Sequence, residues 1–286
     1  MRQAILAIIM LACGSYLYFR YKRYYHKIDF GEIVEKSQLG SDTRIPFVVK
    51  NKLGRFKNWT IDFFRKNYGN ELIYVLNSEN KECTVSDSRL LRMQLGEYID
   101  EYIRGKHPHK KKYYFRSEDY YKFLQDVGLD KAVEEEFKKQ IPWYLFLTYS
   151  FWMGPKGSTT TFHYDTDATN FLCVLEGRKK VLFVHPKGED EITPLGTPFG
   201  DFYTVFDPED EDRISRMKRD GNLSEIVVEK GDILNIPRNV WHAVVNLEDS
   251  VAFTFHYETL ESVLCQAFHL PAFLDPHPSS ARKAHI

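Results

Sequence analysis

The stretch TTTFHYDTDATNFLCVLEGRKKVLFVHP, residues 159–186, decides the fold. Its β-branched and aromatic runs are only a few residues long and are separated by acidic, glycine and proline turns, a pattern typical of short strands. Similar runs occur throughout residues 143–257. Seven or eight short strands with few helical interruptions predict an antiparallel sandwich or barrel for the C-terminal half.

Residues 45–140 have a different pattern, which predicts mixed helix and strand. The segment at residues 59–71, WTIDFFRKNYGNE, predicts a helix that Thr60 caps and Gly69 ends. The segment at residues 88–103, SRLLRMQLGEYIDEYI, has apolar residues at helical spacing and predicts a second helix.

The N-terminal segment is apolar enough to engage a membrane. Residues 4–19 carry no charge, and residues 20–27, RYKRYYHK, alternate tyrosine with cations as at a membrane interface. Such a segment spans roughly 24 Å as a helix, which is short of a ~30 Å hydrocarbon core unless its flanks extend it. We therefore predict a signal anchor and basic flank at residues 1–27 and a linker at residues 28–44. A cleaved signal peptide is the alternative.

The sequence leaves the side of the membrane open. The cations that follow the apolar segment favour a cytosolic main domain. Two glycosylation sequons, beginning at Asn58 and Asn222, favour a luminal one. An anchor in the endoplasmic reticulum or another endomembrane agrees with either orientation.

Composition excludes several classes of partner and site. The chain has 39 basic and 40 acidic residues, a net charge of −1, so no overall field attracts nucleic acid and no such partner is expected. The four cysteines form no C-x-x-C pair, which argues against a thiolate zinc site or a disulfide framework.

Three polar side chains from two distant segments form a candidate metal site. On a strand, His163 and Asp165 would lie on the same face because side chains two apart point the same way. Alone, such a pair is more typical of a wet strand surface than of a metal site. The segment GDILNIPRNVWHAVVN, residues 231–246, offers a third ligand in His242, although a core histidine is the simpler alternative. Two imidazoles and one carboxylate leave adjacent coordination positions open, an arrangement that suits non-haem Fe(II).

Together these segments resemble the JmjC and cupin-like family of Fe(II)- and 2-oxoglutarate-dependent oxygenases, particularly the small hydroxylases typified by factor-inhibiting HIF. The resemblance extends over residues 43–258 in organisation and over residues 150–257 in strong motifs. It implies a mainly β protein with a double-stranded β-helix of the cupin or jelly-roll type at residues 141–260. The mixed α/β part forms an annex, the membrane-anchor helix precedes it, and a closing helix and tail occupy residues 261–286.

The resemblance also implies individual roles. His163, Asp165 and His242 would hold the metal, and Lys179 would bind the far carboxylate of 2-oxoglutarate. Strand alternation supports Lys179, since one of the three consecutive cations of residues 178–180 must face inward. Asn170 stands one residue further from Asp165 than in the closest family pattern. The remaining candidates for binding the cosubstrate are Thr160, Asn170, Tyr149 and His256.

The implied cofactors are Fe(II), 2-oxoglutarate and O2. The predicted reaction is hydroxylation of a protein side chain, with decarboxylation of 2-oxoglutarate to succinate and CO2. Oxidation of a modified tRNA base or of methyl-lysine is an alternative substrate choice. A non-catalytic scaffold and a metal-dependent isomerase or sugar-binding cupin are the alternatives from other classes.

Overall fold

A computed structural model describes residues 13–14, 30, 32–39, 44–77, 90–117, 121–137, 140, 146–165, 169–192, 194–196, 202–204 and 206–258. The helices are α1 (Ile61–Tyr68), α2 (Leu95–Tyr98), α3 (Tyr121–Val127), α4 (Leu129–Phe137) and α5 (Glu211–Arg219); a π-helical segment, Ile99–Ile103, continues α2. The strands are β1 (Val34–Lys36), β2 (Phe47–Val49), β3 (Leu72–Asn77), β4 (Leu90–Gln94), β5 (Tyr113–Ser117), β6 (Phe146–Gly154), β7 (Thr159–Tyr164), β8 (Thr169–Glu176), β9 (Arg178–Val184), β10 (Pro194–Gly196), β11 (Phe202–Thr204), β12 (Leu223–Glu229), β13 (Ile233–Pro237), β14 (His242–Asn246) and β15 (Ser250–Glu258).

These strands form two sheets. The larger has nine strands in the order β1-β2-β13-β8-β15-β6-β5-β3-β4, and the smaller has six in the order β10-β11-β7-β14-β9-β12. The short pair β1 and β2 is parallel, and the other pairings among the described strands are antiparallel. The prediction of a mainly β, antiparallel architecture is therefore confirmed.

Each sheet is covered on both faces. One apolar cluster lies between the sheets and includes Val48, Leu172, Val174, Val181, Phe183, Leu234 and Ile236. A larger cluster joins the outer face of the nine-stranded sheet to the helices of the N-terminal part. A third joins the outer face of the six-stranded sheet to α5. Burial on two faces explains why β8 is almost continuously apolar rather than alternating.

Helix α1 agrees with its sequence signals. The Thr60 hydroxyl accepts a hydrogen bond from the Phe63 amide at 3.1 Å, and Gly69 follows the last turn. A carboxylate oxygen of Glu176, at the end of β8, accepts the Ile61 amide at 2.5 Å. Two acceptors therefore satisfy the first-turn amides, and the second one joins the helical part to the β core.

The predicted second helix begins later than the sequence pattern indicates. Residues 90–94 form β4, which pairs with β3 from Leu76↔Leu90 to Leu72↔Gln94, and helix starts only at Leu95. A ladder with five paired residues overrides the helical spacing, because β propensity depends on the neighbouring strand.

Part of the predicted linker belongs to the fold. Phe30 is buried and its ring stacks on His185 at a centroid distance of 4.5 Å, and β1 pairs with β2. The linker prediction for residues 28–44 is thus wrong for these positions, because Phe30 adds to the core and β1 extends the sheet.

The membrane predictions fall almost wholly outside the described ranges. Of the predicted anchor, residues 4–19, the structure describes only residues 13–14, and the predicted closing helix at residues 261–286 also lies outside. Searching the ranges that are described finds no helix with the length and apolar character needed to cross a bilayer.

Candidate metal centre

His163 and His242 face each other across neighbouring strands. They are a cross-strand pair of β7 and β14, with ring centroids 4.2 Å apart. The Nδ1 atom of His163 lies 2.8 Å from the Thr161 carbonyl oxygen, and Nδ1 of His242 lies 2.9 Å from the Val240 carbonyl oxygen. A carbonyl only accepts, so each Nδ1 carries the proton and donates it. Each Nε2 atom is therefore unprotonated, which is the form that binds a metal.

Asp165 completes a three-ligand group just past the end of β7. Its Oδ1 lies 3.7 Å from Nε2 of His163, and its Oδ2 lies 3.7 Å from Nε2 of His242. The ligand atoms of the three residues all lie within 4.8 Å of one another. Such separations are too long for hydrogen bonds, but they fit three ligands about 2 Å from a common ion.

The charge states of the group also suit a metal. Burial, and to a smaller extent the nearby His242, lower the pKa of His163 to about 4, so this imidazole is neutral at pH 7. Burial alone would raise the pKa of Asp165, but His242 and His163, together with the Asn170 amide, hold it at about 2. Neutral imidazoles and an ionised carboxylate are the forms that bind Fe(II).

Lys179 lies at the other end of the same cavity. Gly177 adopts φ +78° in the turn between β8 and β9, where a Cβ atom would lie 2.3 Å from the Asp249 carbonyl oxygen. After this turn, Arg178 is exposed, Lys179 is 1% exposed and Lys180 is half-buried. The alternation predicted for these three cations is therefore present.

The Lys179 ammonium is bound by neutral groups. Its Nζ donates to the Asn246 Oδ1 at 2.7 Å and to the Tyr114 hydroxyl at 3.1 Å. Burial lowers the pKa of Lys179 to about 7 and raises that of Tyr114, which keeps the phenol neutral. A buried cation held only by neutral partners favours an added anion, and a carboxylate would satisfy it with charge-assisted hydrogen bonds.

A β-bulge gives Thr160 its position. His242 pairs with His163 while Val244 pairs with Thr160, so three steps along β7 match two steps along β14. The extra residue in β7 brings Thr160 and His163 to the same cavity although their odd separation would place them on opposite faces of a regular strand.

The other sequence candidates differ in position. Asn170 and His256 are cross-strand neighbours on β8 and β15, and both line the cavity. Tyr149 does not line it. On β6 it alternates with Trp152 and shares the face of Phe151, which packs against the helical annex. The proposed pocket role of Tyr149 is corrected accordingly: strand alternation turns its ring to the opposite side of the sheet.

The cavity itself contains about 570 Å³ of space between protein atoms, part of it open to solvent. Sequence reasoning missed several residues that line or support it, namely Tyr114, Arg116, Asn246 and Thr254. The Arg116 guanidinium stacks over the Trp152 ring at 4.8 Å. Alternation along β5 could have predicted that Tyr114 and Arg116 lie on the same face of the strand. No local signal in the sequence, however, indicates that β5 lies beside β6.

Comparisons with known proteins identify the family. Residues 32–262 match the model of the cupin-like domain, and the chain belongs to that family. It is 27% identical over 231 residues to the chicken (Gallus gallus) 2-oxoglutarate and iron-dependent oxygenase JMJD4, covering 71% of this chain and 52% of that protein. It is 27% identical over 242 residues to chicken tRNA wybutosine-synthesizing protein 5, covering 76% and 71%. A shorter match, 34% over 101 residues, is to JmjC domain-containing protein D of Dictyostelium discoideum, covering 35% and 22%.

These matches agree with the geometry of the site. The predicted JmjC and cupin-like family is confirmed, although the matches do not single out the branch of factor-inhibiting HIF. The chain spans 22% and 52% of the lengths of the Dictyostelium protein and JMJD4, respectively. The predicted cofactors, Fe(II), 2-oxoglutarate and O2, are those of this oxygenase family, and the His-Asp-His group together with buried Lys179 fits them.

Proposed function

We propose that this protein is an Fe(II)- and 2-oxoglutarate-dependent oxygenase that hydroxylates a protein side chain. The observation that carries the proposal is a single cavity that contains both the three-residue metal group and the buried Lys179 ammonium. A metal group alone would fit many cupins. A buried cation in the same cavity additionally requires an anion, and 2-oxoglutarate is a dianion.

Each residue has a role in this proposal. The Nε2 atoms of His163 and His242 and one oxygen of Asp165 hold the metal, while Lys179, supported by Tyr114, binds the far carboxylate of 2-oxoglutarate. Thr160 lies between these two ends, where its hydroxyl can donate to the cosubstrate. When bound, the metal with 2-oxoglutarate and O2 supplies the oxidation that converts a substrate C–H into C–OH, with release of succinate and CO2.

The choice of a protein substrate rests on the relatives and on charge. Named relatives include an arginine-specific demethylase, JMJ22 of Arabidopsis thaliana, and the tRNA wybutosine-synthesizing protein. A net charge of −1 and a sequence pI near 6.8 provide no overall field that would attract tRNA. The isomerase or sugar-binding alternative would need a different ligand set, and the described ranges contain no second group of this kind.

Comparing the hydroxylated proteins of two cell lines would identify the substrate. One line expresses the wild-type chain and the other an Asp165→Ala variant, which lacks one metal ligand. We expect side chains with an added oxygen atom that are present with the wild type and absent with the variant, measured by mass spectrometry. Identical hydroxylation in both lines, together with no succinate formation by the purified protein, would support the non-catalytic scaffold instead.

We also propose that residues 4–19 anchor the protein in the endoplasmic reticulum or another endomembrane. Their lack of charge and the tyrosine-rich basic flank support this. We expect the full chain to stay with membranes after alkaline carbonate extraction, and a variant without residues 4–19 to be released. Release of the full chain would contradict the anchor.

The same sample can report the side of the membrane through one sequon. Asn58 is exposed in a turn, whereas the Asn222 amide donates to a Glu191 carboxylate oxygen at 3.0 Å and the hydroxyl of Ser224 lies 2.7 Å from Nε2 of His185. Asn58 is therefore the useful reporter. A mobility shift with glycosidase that Asn58→Gln removes, and Asn222→Gln does not, indicates a luminal domain.

A further inference from the structure

Asn170 contacts the metal group directly. Its Nδ2 donates to Oδ2 of Asp165 at 2.6 Å, and the residue is 5% exposed. On β8, its backbone is paired with Ile236 on one side and His256 on the other. A side chain on a central strand with two paired neighbours is held firmly, so the contact is built into the sheet.

The orientation of the Asn170 amide follows from chemistry. The Asp165 carboxylate is ionised and can only accept, so the nitrogen of the amide must face it. The amide oxygen then points away; it is buried, and no group in the described ranges gives it a hydrogen bond. An amide oxygen cannot bind the carboxylate of an anionic cosubstrate. Asn170 therefore uses one of its two amide N–H groups on Asp165 and turns its acceptor elsewhere.

The contact makes the two oxygens of Asp165 unequal. Each oxygen lies 3.7 Å from one ligand imidazole, Oδ1 from His163 Nε2 and Oδ2 from His242 Nε2, but only Oδ2 also accepts the amide of Asn170. We infer that Asn170 is a positioning residue that makes Asp165 bind the metal through Oδ1 alone. One-oxygen coordination keeps three adjacent positions open, which a chelating cosubstrate and O2 need. This inference rests on the proposed function and changes one predicted role, since the family resemblance placed Asn170 near the cosubstrate.

Two asparagine variants separate these roles at opposite ends of the cavity. In Asn170→Ala, we expect the Kd of the full chain for Mn(II) to rise by about 10–100-fold, the usual cost of removing a hydrogen-bond partner of a metal ligand. The Kd for 2-oxoglutarate, measured at saturating Mn(II), should change little. Asn246→Ala, which removes a Lys179 partner, should give the reverse pattern. Calorimetric titration and the Mn(II) electron paramagnetic resonance signal measure both constants without turnover.

The possible results can be told apart. Unchanged Mn(II) affinity in Asn170→Ala, or a weakened affinity for 2-oxoglutarate alone, overturns the inference while leaving the proposed function intact. Failure of the wild type to bind Mn(II) overturns both. If the variant does not fold, a crystal structure of the wild type with Mn(II) decides the matter: we expect Oδ1 bonded to the metal and Oδ2 bonded to Asn170. Two Asp165 oxygens on the metal would contradict it.

Discussion

We expect replacement of His163 by alanine to lower 2-oxoglutarate turnover to below about 1% of wild type, because loss of a ligand exceeds the roughly 10–100-fold effect of losing an outer-shell partner. His163 supplies one of two imidazoles whose Nε2 atoms face Asp165, and its Nδ1 is already committed to the Thr161 carbonyl. The ring cannot be replaced by a neighbouring side chain without breaking the β7–β14 pairing. Succinate formation, with Fe(II) and ascorbate supplied, measures the effect.

A matched histidine provides the control. His109 is exposed and lies outside the cavity, so His109→Ala should retain wild-type turnover and metal binding. Thermal unfolding of both metal-free variants shows whether either change disturbs the fold. Full succinate formation in folded His163→Ala would remove this residue from the metal site.

Replacement of Lys179 by methionine weakens 2-oxoglutarate binding by about 10²–10³-fold. Removing one partner of a buried charge pair costs about 3–5 kcal/mol, and each 1.4 kcal/mol is tenfold in affinity. Methionine keeps most of the side-chain volume, so the Tyr114 ring retains its packing. Because Lys179 does not touch the metal group, Mn(II) affinity should stay at the wild-type value. Calorimetry of the metal-loaded protein measures both. Loss of metal binding instead would mean that the variant disturbs the whole cavity.

The same lysine predicts a pH dependence with a definite sign. Burial lowers its folded pKa to about 7, below the usual lysine value of 10.5, so the unfolded chain binds more protons between these two pH values. The buried Lys179 therefore destabilises the cosubstrate-free protein most below pH 7. The free energy of unfolding then rises with pH between 7 and 10.5. Binding of 2-oxoglutarate restores the ammonium, so its affinity should fall as pH rises from 7 to 9.

Proton uptake provides the measurement for this dependence. Titrations at pH 8 in two buffers of different ionisation enthalpy should show close to one proton taken up per 2-oxoglutarate bound. Lys179→Arg, which stays charged throughout this range, should bind with little pH dependence. An affinity that does not vary with pH in the wild type would show that Lys179 is already charged in the cosubstrate-free protein.

The sequence predicted the β half and the chemistry of the site better than it predicted the annex. Short β-branched and aromatic runs between turn residues identify strands such as β8 and β9 because each pattern is local. The segment of β4 has apolar residues at helical spacing and becomes a strand only because β3 lies beside it. Phe30 was likewise assigned to a linker, since nothing near it in sequence indicates the His185 ring on which it stacks.

Within the cavity, too, local patterns could be predicted from the sequence, whereas contacts between distant strands could not. His163 and Asp165 are two residues apart, so their common face could be predicted, and His242 stood out as a polar residue in an apolar run. Tyr114 lies 65 positions from Lys179, and the contact arises only from the order of strands in the folded sheets. Asn246 could have been found, because it is a buried amide on the same strand as His242 and requires a partner.

Strand β14 sets the spacing between the two ends of the cavity. His242 stands at one end and Asn246, the partner of Lys179, at the other, four residues or roughly 13 Å along the strand. Because β7 and β9 flank β14 on both sides, this spacing cannot stretch or shorten to suit a different molecule. A diacid with one carbon fewer than 2-oxoglutarate would reach the metal or the ammonium but not both, so discrimination by chain length is a property of the backbone.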